Sequence, residues 1–127
     1  MKYQVVVNTD VADRPKDHEM KSAIVVANTY FKADVIFLRP ERYKTPDLLV
    51  GNAKWELKSP KGGGKKTIDN NLREARKQSV NIIVDFSRIK LHQTRALSRL
   101  NHYLKSGSHG FKKLIVITKD RKILEIL

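Results

Sequence analysis

The residues of this chain that could do chemistry together are two carboxylates and an amine near its middle. Asp47 follows Pro46, and a Glu-x-Lys pair formed by Glu56 and Lys58 comes shortly after it. The turn dipeptide at 51–52 separates Asp47 from that pair, so a tight hairpin would bring the acid beside the partner strand. Side chains two residues apart on a strand point to the same face. The spacing therefore predicts that both carboxylates and the amine converge on one pocket.

A pocket of this composition predicts metal-dependent hydrolysis of a phosphodiester. Two carboxylates close together repel each other unless a divalent cation lies between them. Oxygen ligands of this type suit Mg²⁺ first, with Mn²⁺ or Zn²⁺ as alternatives, and we expect Asp47, Glu56 and the carbonyl of Leu57 to supply them. A bound cation polarises a phosphodiester and activates a water molecule. Lys58 would orient or deprotonate that water, or offset charge on the phosphorus oxygens.

Apolar patterning predicts the elements that position this pocket. Residues 53–58 alternate between apolar and charged, which is the period of a strand with one core face and one charged face. Thr67 is the expected N-cap of the helix that follows the glycine-rich loop at 60–66. We predict strands at 5–7, 33–38, 48–50, 53–58, 81–86, 114–118 and 123–127, the first a strand or hairpin arm and the last two a hairpin, with helices at 17–30, 67–79 and 91–104.

This order of elements predicts an α/β fold with a mixed central β-sheet flanked by helices on both faces. The chain has 127 residues, enough for one hydrophobic core of ordinary size, so we interpret 1–127 as one domain. It contains no cysteine, which excludes disulfides and thiolate metal sites. We expect no secretory signal peptide, because the first apolar stretch is only three valines long.

The charge balance indicates a polyanionic partner. Lysine and arginine number 26 against 13 acidic residues, which gives a net charge of +13, while the hydrophobic content of 40% is that of a folded protein. Basic side chains near phosphates release condensed counterions, so nucleic acid is the leading partner class. No apolar run approaches the roughly 20 residues of a spanning helix, so we expect no membrane insertion.

The segment 46–58 resembles the active-site motif of the PD-(D/E)xK nuclease superfamily, and the order of elements from the first helix through the helix after Lys58 is similar as well. By position, Glu19 in the first helix matches an acidic residue that many members carry as an additional metal ligand. Glu19 lies at an edge of the apolar face of that helix, so it can face the sheet. The alternative is a first-turn glutamate favoured by the helix dipole. The resemblance implies that Glu19 joins Asp47 and Glu56 in the catalytic and metal-binding set.

A second, narrower resemblance covers most of the chain and is weakest before residue 17. The segments 55–60, 67–68 and 81–85, with Asn71, Ala75 and Gln78 between them, resemble the C-terminal tRNase domains of CdiA-type contact-dependent growth inhibition toxins. The resemblance implies metal-dependent cleavage of tRNA in the cytoplasm of a target bacterium, and delivery as part of a larger secreted protein. It also implies a dedicated immunity protein, which the positive charge of this chain predicts to be acidic.

Candidate substrate-binding residues lie directly downstream of Lys58, where a phosphate backbone would enter the site. Basic side chains there would bind phosphates, although charged loops are more often only solvated. Asn71, Ala75 and Gln78 form one polar stripe on the helix after the loop, which can face a substrate or solvent. The predicted set is Lys61, Lys65, Lys66, Thr67, Asn71, Arg73 and Gln78.

Two rival functions fit the same residues. The first is a DNA endonuclease of the same superfamily, because nothing in the sequence recognises a ribose 2′-hydroxyl. The second is a basic nucleic-acid-binding module without catalysis, in which Asp47 and Lys58 are structural. A histidine general base would require His92 or His109 near the metal, and no histidine pair has the spacing of a zinc site. The sequence leaves the oligomeric state open.

Overall fold

A mixed β-sheet forms the centre of the protein. The computed structural model describes residues 2–39 and 47–127, without the side chain of Val11; Pro46 of the predicted motif lies outside these ranges. Within them the sheet has seven strands, whose order in space is their order along the chain. The strands are β1 Val5–Val7, β2 Val35–Phe37, β3 Leu48–Val50, β4 Ala53–Lys58, β5 Asn81–Asp85, β6 Lys113–Ile117 and β7 Ile123–Glu125.

The strand directions follow from the length of each connection. β1 and β2 pair in parallel, as do β4 with β5 and β5 with β6, and each of these pairs is joined by a helical segment. The remaining neighbours, β2 with β3, β3 with β4 and β6 with β7, pair antiparallel. The β3–β4 and β6–β7 connections are short, and a tight turn can only reverse the chain. The β3–β4 turn contains Gly51 at φ 58°, a conformation that glycine adopts without strain. β1 is thus a strand but not a hairpin arm.

The helices lie on both faces of the sheet. α1 (Asp17–Val26) continues into a π-helical turn at Ala27–Phe31 and packs with Trp55, Leu57 and Ile83 on one face. α2 (Thr67–Arg76) and α3 (Gln93–Lys105) pack with the alternate residues of β5 and β6 on the other. The predicted α/β class, a mixed sheet flanked by helices, is confirmed. No helix within 2–39 or 47–127 combines the length and the apolar character needed to cross a membrane.

The predicted N-cap of α2 is wrong by one residue. Lys66 occupies the N-cap and Thr67 is the first helical residue, because the hydroxyl of Thr67 instead accepts a hydrogen bond from the backbone N–H of Gly64 at 3.2 Å. The helix also ends at Arg76, earlier than predicted. Ser79 therefore lies beyond it, and its hydroxyl donates to the carbonyl of Lys54 at 2.9 Å.

Candidate active site

The structure brings the three chemically competent side chains of the hairpin together. The backbone N–H of Asp47 donates to Glu56 Oε1 at 3.3 Å, and the N–H of Leu57 donates to Asp47 Oδ2 at 3.0 Å. On the other side of Glu56, Lys58 Nζ lies 3.5 Å from Oε2. Glu56 is only 2% exposed. The buried carboxylate of Glu56 thus lies between Asp47 and the amine of Lys58.

The local sequence explains this convergence. Trp55 and Leu57 are buried against α1, and side chains alternate along a strand, so Glu56 and Lys58 point away from that core. The hairpin register pairs Leu48 with Trp55. One residue earlier, Asp47 therefore lies opposite Glu56.

The two carboxylates sit in an environment that opposes their ionisation. Burial raises the pKa of Glu56 to about 8, and the charge of Asp47 contributes to the rise while Lys58 opposes it. Burial also raises the pKa of Asp47, against the N–H of Leu57, which lowers it. One ammonium group faces two acids, so the pocket is short of positive charge when both are ionised.

The donor set fits a divalent cation. Two neighbouring carboxylates that repel each other lose that repulsion when a cation lies between them, and hard oxygen ligands suit Mg²⁺ or Mn²⁺. The described residues contain no cluster of three or more histidine, cysteine or acidic side chains able to hold a metal. Asp47 and Glu56 would thus supply the side-chain ligands, with water and substrate oxygens at the remaining positions, an arrangement usual for Mg²⁺.

Glu19 lies in the first turn of α1, close to this pocket but outside the ligand pair. Its Oε1 accepts a hydrogen bond from the backbone N–H of Lys16 at 2.8 Å, a capping-box contact that was not predicted from the sequence. Its charge also contributes to the raised pKa of Asp47, so the first turn of α1 is within electrostatic reach. The role of Glu19 as a metal ligand stays a prediction.

The predicted substrate-binding lysines lie in a loop that the fold holds in place. Lys61, Lys65 and Lys66 are exposed in the segment between β4 and α2. The carbonyl of Gly62 accepts from the N–H of Lys90 at 3.2 Å, and the carbonyl of Lys65 accepts from Arg99 Nε at 3.0 Å. The loop 60–66, termed here the Lys/Gly loop, presents its ammonium groups to solvent after the carboxyl end of β4.

The polar residues of α2 are less free to bind a substrate. Asn71 Nδ2 donates to the carbonyl of Thr67 at 2.8 Å, and both residues are half-buried. Arg73 is exposed, with NH1 donating to Asn70 Oδ1 at 3.0 Å. Gln78 is half-buried past the end of the helix. Of this group Arg73 is the most accessible to a phosphate.

A polar cluster near α1 was not foreseen. Asp85 at the carboxyl end of β5 is 1% exposed and accepts from the hydroxyl of Ser22, and from Arg121 NH1 at 3.2 Å. One turn before Ser22, the ring of His18 contacts the guanidinium of Arg88. Burial, followed by the charge of Arg88, lowers the pKa of His18. The members come from three separate parts of the chain, so no local motif could reveal them. We call His18, Ser22, Asp85, Arg88 and Arg121 the α1 cluster.

Replacing Arg121 by alanine is expected to destabilise the protein by about 2 kcal/mol, because it leaves the buried carboxylate of Asp85 without its cation. The arginine side chain is 37% exposed, so the loss is smaller than for a fully buried pair. Urea unfolding at pH 7 measures it. Adding Asp85→Asn to Arg121→Ala removes the unpaired charge and should recover part of the loss. An Arg121→Ala variant as stable as the wild type would show that the pair contributes nothing.

Comparison with known proteins gives one family and one solved structure. The family model described as the contact-dependent growth inhibition CdiA C-terminal domain matches residues 44–123. The "CdiA-CT/CdiI toxin and immunity complex from Burkholderia pseudomallei" has a chain that aligns over 97% of this chain and 98% of its own, with a TM-score of 0.63 and 20% sequence identity. The fold is therefore similar to that of the Burkholderia chain. Comparison with curated proteins finds no match.

Proposed function

Because the chain belongs to the family of contact-dependent growth inhibition CdiA C-terminal domains, we propose that this toxin domain is a metal-dependent endonuclease of the PD-(D/E)xK type that hydrolyses tRNA. The observation that carries the proposal is the pair formed by the half-buried Asp47 and the buried Glu56, with Lys58 Nζ 3.5 Å from Glu56. A structural role alone gives no reason to place a half-buried acid against a buried one, since removing carboxylates from water costs stability unless a cation or substrate uses them.

Asp47 and Glu56, with the Leu57 carbonyl as a further candidate, would hold the cation. The N–H of Leu57 fixes one oxygen of Asp47 and the N–H of Asp47 contacts Glu56, so the carboxylates are oriented before a ligand arrives. A bound Mg²⁺ supplies Lewis acidity and lowers the pKa of water.

Lys58 would act on the reacting phosphate. It is half-buried at the end of β4, where a phosphodiester entering the pocket meets its ammonium group. The positive charge of Lys58 offsets the negative charge that builds on the phosphorus oxygens. The ammonium group also orients the attacking water. Water attacks rather than the ribose 2′-hydroxyl, so the fragments should carry 5′-phosphate and 3′-hydroxyl ends.

We propose further that an acidic immunity protein neutralises the toxin. The similar Burkholderia chain is described in complex with an immunity protein, and a net charge of +13 favours an acidic partner that associates quickly. The domain would reach the cytoplasm of a target bacterium as part of a larger secreted protein of the CdiA type.

The substrate class is tested by parallel digests of total tRNA, duplex DNA and single-stranded DNA in Mg²⁺. We expect cleavage of tRNA and little or none of either DNA. Digestion of duplex DNA with intact tRNA would replace the proposal by a DNA endonuclease with the same site. If no nucleic acid is cut in Mg²⁺, Mn²⁺ or Zn²⁺, yet RNA is bound, the non-catalytic binding module is the better account.

A further inference from the structure

Arg88 in the α1 cluster is a half-buried guanidinium without a carboxylate partner. Its contact is the ring of His18, and an imidazole cannot neutralise a guanidinium. In the chain outside residues 1 and 40–46, no ion pair joins Arg88 to an acidic group, whereas Arg121 and Arg99 each pair with an aspartate. A guanidinium that is partly removed from water and not paired directly with a carboxylate can bind an anion.

The position of Arg88 relates it to the proposed active site. It belongs to segment 87–90, which follows β5, the strand whose Val84 pairs with Lys58. Two residues on, the N–H of Lys90 donates to the carbonyl of Gly62, so the same short segment contacts both the Lys/Gly loop and α1. The Lys/Gly loop leads into α2 on one face of the sheet, and Arg88 contacts α1 on the other face. The carboxyl ends of β4 and β5 therefore lie between two basic segments.

α1 fixes the α1 cluster at the carboxyl end of β5. Ser22 contacts Asp85 and also donates to the carbonyl of His18 at 2.9 Å, which fixes the first turn of the helix against β5. That turn carries both His18 and Glu19. Arg88 is thus held by the residue next to Glu19, on the edge of the sheet where Lys58 lies.

We propose that Arg88, together with Arg121 of the same cluster, binds a phosphodiester group of the polynucleotide on the side of the scissile phosphate opposite the Lys/Gly loop. This inference rests on the proposed function. A guanidinium forms two parallel hydrogen bonds to a phosphate, and it does so more strongly where water is partly excluded. Asp85 holds Arg121 in a fixed position and leaves more than a third of its side chain exposed to a ligand.

Arg88→Ala is the direct test, because removing Arg121 also unpairs Asp85. Binding is measured by fluorescence anisotropy of a labelled RNA oligonucleotide with the full chain carrying Glu56→Gln, in EDTA and over a series of salt concentrations. We expect Arg88→Ala to raise Kd about tenfold and to reduce the slope of log K against log salt by about 1. Arg88→Lys should retain the slope and recover part of the affinity.

Lys112→Ala is the matched control. Lys112 is exposed and precedes β6 at the opposite edge of the sheet, so its loss removes one charge without touching the proposed subsite. We expect its Kd to stay within about twofold of the parent. Equal effects of Arg88→Ala and Lys112→Ala, or none from Arg88→Ala in a folded protein, would overturn the inference.

Cleavage kinetics separate this inference from the proposed function. In the otherwise wild-type chain, Arg88→Ala should raise KM and leave kcat nearly unchanged, as expected for loss of uniform binding. If the wild type cleaves RNA and Arg88→Ala alters neither KM nor Kd, the subsite alone is wrong. If the wild type cleaves nothing but Arg88→Ala weakens RNA binding, the nuclease proposal fails and the phosphate subsite stands. A protein that neither cuts nor binds RNA contradicts both.

Discussion

Lys58→Ala is expected to slow RNA cleavage roughly 10²–10³-fold, the usual effect of removing one charged group that stabilises a transition state. Lys58 Nζ lies 3.5 Å from Glu56 Oε2 and is the amine closest to the two proposed metal ligands among the contacts described. The fold should persist, because Glu56 can take up a proton when its cation is gone. Single-turnover rates at saturating enzyme, with circular dichroism of both proteins, give the comparison.

Lys54→Ala provides a control within the same strand. Lys54 shares the strand face of Glu56 and Lys58 but is exposed near the other end of β4, so its rate should remain within about threefold of the wild type. Comparable losses of rate in both variants would mean that the lysines of this strand act through their general positive charge and not through the position of Lys58. Full activity in Lys58→Ala would remove Lys58 from the mechanism.

Glu56→Gln is expected to stabilise the metal-free protein at pH 8 by on the order of 3 kcal/mol. The pKa of Glu56 is about 8 in the folded protein, against 4.5 for an ordinary glutamate, because burial and Asp47 disfavour its charge. The folded state therefore holds the proton more tightly than the unfolded state. This contribution to stability is complete below pH 4.5 and is lost as the pH rises towards 8. Glutamine stays neutral and avoids that loss.

Urea unfolding in EDTA from pH 5 to pH 8.5 measures the effect. The wild type and Glu56→Gln should be nearly equal in stability at pH 5 and should diverge above it. The stability of the variant should still fall with pH, but less steeply, because the raised pKa of Asp47 remains. Glu74→Gln is the control, since Glu74 is an exposed carboxylate paired with Lys77, and its curve should follow the wild type. Parallel curves for wild type and Glu56→Gln would show that Glu56 titrates as an ordinary surface acid.

The hairpin was predictable because its information is local. Alternation from residue 53 to 58 separates Trp55 and Leu57 from Glu56 and Lys58, and the turn at 51–52 sets the register that brings in Asp47. The other strands, and the helices that pack on the sheet, were likewise predictable from apolar periodicity. The N-cap of α2 was not, because a threonine hydroxyl can accept from different nearby backbone N–H groups, and that of Thr67 accepts from Gly64.

The α1 cluster shows what local patterns cannot reveal. Ser22, Asp85 and Arg121 are 63 and 36 residues apart along the chain, and only the parallel pairing of β5 and the docking of α1 bring them into contact. Asp85 ends an apolar strand, where a carboxylate is as readily solvated as buried. The position of His18 relative to the other histidines matches no metal-binding motif. Nothing else in the sequence indicated its contact with Arg88.

The most direct test of a cation-dependent hydrolytic pocket is end-group analysis of labelled tRNA incubated with the wild type in Mg²⁺ and in EDTA. Cleavage in Mg²⁺ that yields 5′-phosphate and 3′-hydroxyl ends, and that stops in EDTA, is the predicted result. Cleavage that continues in EDTA and leaves a 2′,3′-cyclic phosphate would contradict the assignment, since the ribose hydroxyl would then be the nucleophile and Asp47 and Glu56 would hold no cation.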